Sequence, residues 1–184
     1  SPGSYVFTAK HSLIDYTSKS LYPKINEGDG LPFNFTDLYG KVTFTSESGS
    51  KVSFFGFHNQ DSVNYSIADL NWQASGGGMN FLMIPSGSPV FIRGHVNGSN
   101  FMTTFAEDQV EPRYSKIGGF DLGFDFSYFL KNEGEMNYGF NFCGFNTQFV
   151  TFNEAKRKIE AFNFSTELGA YYNYRRVSKD LRWV

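Results

Sequence analysis

Few residues in this 184-residue chain could do chemistry, and their spacing serves none. Asp121 and Asp125 come closest to a carboxylate pair. On an extended strand, at roughly 3.3 Å per residue, they lie about 13 Å apart. That exceeds the separation at which paired glycosidase carboxylates work. His11, His58 and His95 are far apart in the chain, and neither a Ser-His-Asp set nor a metal-ligand set assembles around them. Cys143 is the single cysteine, so no internal disulfide staples the fold. Gly76, Gly77 and Gly78 lack the following helix that a phosphate loop requires. Asn34, Asn64, Asn97 and Asn163 each open an Asn-X-Ser/Thr triplet, the pattern of a glycosylation acceptor. The net charge is −2, and Lys156, Arg157 and Lys158 form the only basic run, so no nucleic-acid face is expected. The chain is not expected to be an enzyme or to hold a cofactor or metal.

The elements that would position these residues announce themselves by period-two alternation. Phe120, Leu122, Phe124, Phe126, Tyr128 and Leu130 share one side of a segment, against Asp121, Gly123, Asp125, Ser127 and Lys131. Met136, Tyr138, Phe140 and Phe142 oppose Asn137, Gly139, Asn141 and Cys143. Val90, Ile92, Gly94 and Val96 oppose Phe91, Arg93, His95 and Asn97. Leu38, Val42 and Phe44 oppose Tyr39, Lys41, Thr43 and Thr45, and Phe162, Phe164, Leu168, Ala170, Tyr172 and Tyr174 oppose Asn163, Ser165, Glu167 and Asn173. Weaker strands are expected over Tyr5–Ile14, over Lys51–Asn59, where Phe54, Phe55 and Phe57 do not sort onto one face, and over Asn71–Ile84. The last slips phase at Gly76–Gly78, which suggests a bulge or a close backbone approach. About eight strands result, and Leu181 to Val184 looks like the start of a ninth. Short turns at Gly49, Gly87, Gly134 and Ser178–Asp180 are expected to alternate with longer connections at Asp15–Phe35, Gln60–Asp69, Glu107–Arg113 and Asn153–Lys158.

Composition then separates two media. Phe occurs 22 times and Tyr 11 times, so aromatics make up 19% of the chain, while mean hydropathy is negative. A soluble sandwich or lipocalin-like module would alternate too. The expected strands are longer than the five or six residues usual in globular sheets. The polar side is built from Ser, Thr, Asn and Gly more than from Lys and Glu. The apolar sides end near the turns in Tyr128, Tyr138, Tyr172 and Tyr174, as an interface girdle would. The expectation is an all-β, antiparallel up-and-down transmembrane β-barrel, its backbone satisfied in hydrocarbon by closure. Phe120, Leu122, Phe124, Phe126, Phe140 and Phe142 would face lipid, and Arg93, His95, Asp121, Asp125 and Glu167 the lumen. Gly123, Ser127, Gly139, Asn141, Ser165 and Gly169 are too small to fill a closed eight-stranded interior and suit a wider lumen.

Leu31-Pro32-Phe33-Asn34-Phe35-Thr36-Asp37-Leu38-Tyr39-Gly40-Lys41 resembles the early barrel of TonB-dependent receptors of Bacteroidota. So do Gly49-Ser50-Lys51-Val52, Phe55-Gly56-Phe57, Asp69-Leu70-Asn71-Trp72, Lys10-His11-Ser12 and Pro85-Ser86-Gly87-Ser88-Pro89-Val90. The resemblance implies a 22-stranded outer-membrane barrel of a Gram-negative cell, plugged by an N-terminal domain and importing a scarce nutrient with energy from TonB. Residues 1–184 would then be a single-domain fragment, the first eight or so strands after the plug. Its partners would be outer-membrane lipid, the plug, the remaining strands and, through the plug, TonB; the five lumen residues would contact plug or substrate. The alternatives are a self-contained eight-stranded outer-membrane barrel (anchor, adhesin or lipid-modifying) and the lipocalin-like module.

Overall fold

A computed structural model describes residues 2–65, 67–108, 110–131, 134–177 and 182–183. The chain forms one antiparallel sheet of nine strands in which every strand pairs only with its neighbours in sequence. The strands are β1 Gly3–His11, β2 Phe33–Thr45, β3 Lys51–Tyr65, β4 Ala68–Met83, β5 Val90–Glu107, β6 Val110–Phe129, β7 Gly134–Phe152, β8 Lys158–Val177 and β9 Arg182–Trp183. The sheet is open: β1 pairs with β2 alone, and no ladder joins it to β8. No ladder among the described strands closes them into a small eight-stranded barrel. β9 is the beginning of the ninth strand expected at Leu181–Val184; Leu181 and Val184 lie outside the described residues, as does the turn expected at Ser178–Asp180.

Strands β5 to β8 run 18, 20, 19 and 20 residues, longer than the alternation alone outlined. The extra length comes out of the connections. Gln60–Asp69 and Glu107–Arg113, expected as long loops, are almost wholly strand: β3 ends at Tyr65 and β4 begins at Ala68, while β5 ends at Glu107 and β6 begins at Val110. The strict alternation of short and long loops does not hold. Polar strand ends far from the apolar stripe carry no period-two signal, so they read as loop although their backbones stay paired. Only the β1–β2 connection is long. It contains helix α1, Ile14–Leu21, and a 3₁₀ turn at Ile25–Gly28.

The turns at Gly49, Gly87 and Gly134 share one end of the sheet, here called the near end. Gly49 (φ +85°) and Gly87 (φ +74°) take the left-handed conformation that tight turns ask of glycine. In the third near turn, Leu130 N–H donates to Gly134 O, while Asn132 and Glu133 lie outside the described residues. The Ser50 hydroxyl lies within hydrogen-bond distance of both Ile84 N and Ile84 O, tying the first near turn to the second.

No bulge accompanies Gly76–Gly78; the β3–β4 and β4–β5 registers run through them unbroken. Close backbone approach is what they provide. A Cβ on Gly76 would sit 2.8 Å from Gly98 O, and one on Gly77 the same distance from Phe55 O. The one irregularity in the β5–β6 ladder falls between Phe105 and Glu107, near Pro112, which has no N–H to give a ladder.

The sheet is a single layer with no core. Among the described residues Val150, 2% exposed, is the only buried hydrophobic. Large apolar side chains stand exposed on both faces, Leu168 on one and Phe145 on the other among them.

Candidate functional site

Register decides which side chains share a face, because partners across a ladder project to the same side. Asp121 pairs with Asn97 and Cys143, and Cys143 pairs with Glu167. His95 pairs with Gly123 and Arg93 with Asp125. Arg93, His95, Asp121, Asp125 and Glu167 therefore lie together on one face, called the Asp121 face below. Phe120, Leu122, Phe124, Phe126, Phe140 and Phe142 lie together on the other, the Phe124 face, with Tyr128, Tyr138, Tyr172 and Tyr174 along its near edge.

Glycines seat the polar cluster. The His95 ring lies over Gly123, where a Cβ would collide with it. Its Nε2 stands 2.6 Å from Asp121 Oδ2, shielded from solvent but off the direction a hydrogen bond needs. Tyr171 donates to Asp125 Oδ1 at 2.6 Å across Gly139, where a Cβ would meet both the carboxylate and the Tyr171 ring. Toward the near turns, Ser127 donates to Asn137, Asn137 donates to Glu135, and Arg175 donates to Glu135 at 2.5 Å. The Asn137 hydrogen bond, followed by the Arg175 charge, holds the Glu135 carboxyl below the usual carboxylate range. Thr43 and Ser53, both buried, satisfy one another at 2.9 Å. Glu167 stands in the row of Asp121 and Cys143, two strands from Asp121 and on the same strand as Tyr171.

Chemically the cluster is a wall of paired hydrogen-bonding groups. Asp125 and Glu135 each accept from a donor, while Asp121 has the His95 ring beside it. No group of three or more His, Cys, Asp or Glu among the described residues is placed to hold a metal. Tyr171, Glu135 and Arg175 belong to this network although they did not stand out in the sequence. Their odd-numbered phase, shared with Glu167 and Asn173, was the available signal.

From the row of Phe120 to the row of Tyr128 the Phe124 face is rich in aromatics and carries no charge. Phe124 stacks on Phe140 at 5.3 Å and meets the edge of Phe81 at 5.8 Å. Phe126 stacks on Tyr138 at 5.0 Å, and Phe120 packs against Phe142 at 5.3 Å. No helix among the described residues is long and apolar enough to cross a membrane, a test that does not bear on strands.

At the far end a polar recess opens under α1, lined by Asp15, Lys19, Glu27, Asp29, Asn64 and Tyr65. Buried Ser18 accepts a hydrogen bond from Leu31 N–H at 2.7 Å and so closes the loop that forms it. Compared with known protein families and with curated proteins, the chain matches none.

Proposed function

We propose that this chain is a wall segment of a transmembrane β-barrel in a bacterial outer membrane, and that the barrel is a TonB-dependent importer of a scarce nutrient. The observation that carries the membrane part is the coreless sheet. One layer with a single buried hydrophobic cannot offset its own ordering entropy in water. An apolar solvent against the near half of the Phe124 face removes that difficulty. On this reading Phe120, Leu122, Phe124, Phe126, Phe140 and Phe142 meet lipid, and the four tyrosines lie at the interface. Arg93, His95, Asp121, Asp125 and Glu167 then line the lumen, facing plug or cargo.

The importer part rests on the resemblance of Leu31–Lys41, Phe55–Phe57 and Asp69–Trp72 to the early barrel of such receptors. It rests also on the open edges of the sheet, along β1 and along β8 where the short β9 leaves it uncovered, because bare edges cannot persist in hydrocarbon and require further strands. The test uses the intact protein in its own cells. The expected result is retention in alkali-washed outer membranes, together with nutrient uptake that stops when TonB is deleted. Release by alkali would sink the membrane reading. Undiminished uptake without TonB would sink the importer while leaving the barrel.

A further inference from the structure

The apolar residues change faces part-way along the strands. The change falls at one register row, Gly40–Gly56–Gly77–Gly98, continued by Phe120 and Gly144. On its near side, the adjoining row of the Phe124 face holds Val42, Phe54, Met79, Val96, Leu122 and Phe142. On its far side, the next row of that same face holds His58, Ser75, Asn100 and Asn146, and the row beyond holds Thr36, Gln60, Gln73, Lys116 and Gln148. The Asp121 face does the reverse. It is polar in the near half, with Thr43, Ser53, Asn80 and His95, and aromatic in the far half, with Phe57, Trp72, Phe101, Phe145 and Phe149. Exceptions on the first face are Leu38, Met102, Val150, Phe162 and Phe164. In the near half of the second they are Phe55, Leu82, Phe91 and Tyr171, and its far half also carries Asp37, Asn59 and Asp61.

This reversal explains two irregularities in the sequence. Phe54 and Phe57 take opposite faces because Gly56 stands between them at the switch. The phase slip at Gly76–Gly78 is the switch itself, with Trp72 and Ala74 on one face and Met79, Phe81 and Met83 on the other.

Strand length requires such a switch. The 20 residues of β6, at roughly 3.3 Å each and tilted by about 40°, climb on the order of 50 Å, about twice the apolar band of an outer-membrane barrel. From Phe120 to Tyr128 is nine residues, near the roughly 9–11 that cross hydrocarbon.

Given the membrane reading above, on which this rests, we infer that hydrocarbon contact ends at the glycine row. Acyl chains cover the Phe124 face from that row to the tyrosines. Beyond it the same face puts amides, hydroxyls and the Lys116 ammonium into the headgroup layer and water, and the far half of the sheet stands clear of the bilayer. A deeper setting would push Gln60, Gln73 and Asn100 into hydrocarbon, where exposed amides find no partner. A shallower one would leave Leu122 and Phe142 in water.

Single cysteines replacing Phe124, Leu168, Gln60 and Thr104, each with Cys143→Ser, would carry nitroxide labels on the intact protein in phospholipid vesicles. Thr104 lies on the Phe124 face in the far half, opposite Asn71. Labels at 124 and 168 are expected to relax several-fold more with oxygen than with a water-soluble nickel chelate, and those at 60 and 104 the reverse. Leu168, 76% exposed, supplies the near-half reading should Phe124→Cys not fold. Oxygen preference at all four sites would overturn the boundary while keeping the membrane reading. Chelate preference at all four would overturn the membrane reading, and the boundary with it.

Discussion

Single side chains on this sheet have consequences set by the medium and by what crosses the strand beside them. Phe124→Arg in the intact protein is expected to cost roughly 2–4 kcal/mol, the penalty of a charge near mid-bilayer. Gln60→Arg, in the far half of the same face, is expected to cost little, about 0–1 kcal/mol. Urea titration in lipid vesicles measures both, and equal penalties would remove the distinction between the halves. Glycine gives a second contrast. A Cβ at Gly77 meets the carbonyl oxygen of Phe55 at 2.8 Å, and backbone cannot swing aside as a side-chain tip can. Gly77→Ala should therefore destabilise by about 1–3 kcal/mol. Gly169→Ala, with nothing within 4 Å of the new atom, should be near neutral in the same titration. The carboxylates and His95 were visible as a set in the sequence because alternation sorts faces. The contacts of Asp125 with Tyr171 and of His95 with Asp121 were not, since register across separate strands decides them.

Elements depend on a few polar ties at their ends. Ser18→Ala would free Leu31 N–H inside the β1–β2 connection, at a cost of about 1–3 kcal/mol for a buried donor left unpaired. Faster amide exchange across Ile14–Leu31, with β5 to β8 unchanged, is the expected signature. The start of β8 responds to pH. A hydrogen bond from Lys158, then one from Gln148, holds the Glu160 carboxyl below its ordinary range, and the same bond raises the Lys158 ammonium. A depressed carboxylate contributes stability above its unfolded pKa and loses it as pH falls through the folded value. A raised ammonium contributes below its unfolded pKa and loses it as pH rises through the folded value. The tie is therefore present around neutrality and released at acid or strongly alkaline pH. Both groups are exposed, so salt weakens it. Amide exchange at Asn153–Arg157 should quicken on acidification, and Glu160→Gln should abolish that response.

At the scale of the molecule, an open sheet with apolar patches on opposite faces cannot be at ease in water. Residues 1–184 expressed alone are expected to sediment as large assemblies without detergent, through bare edges and exposed aromatics. Sedimentation velocity reads this directly. A monodisperse, cooperatively unfolding monomer in plain buffer would mean that the faces cover one another, as in a soluble module. In the intact protein the far half of the Asp121 face, with Trp72, Phe101 and Phe145, would look into the barrel above the bilayer.

The sequence by itself determined that the chain is all-β and antiparallel, and it sorted the faces of strands such as β6 and β7. Phe120–Tyr128 against Asp121–Ser127 could only be a strand with two unlike sides, because a side-chain period of two has no other backbone. It also placed the turns at Gly49 and Gly87, where the backbone requires positive φ. It did not show how long the strands are, since Ser62 to Tyr65 and Val110 to Arg113 carry polar or mixed residues whose strand state comes from ladder bonds to a neighbour. Nor did it show that the broken patterns at Gly56 and at Gly76–Gly78 are one feature. The two lie about twenty residues apart in the chain and become adjacent only through the β3–β4 ladder. Pairing of distant segments is a tertiary decision, and here it turned two local irregularities into a single line across the sheet.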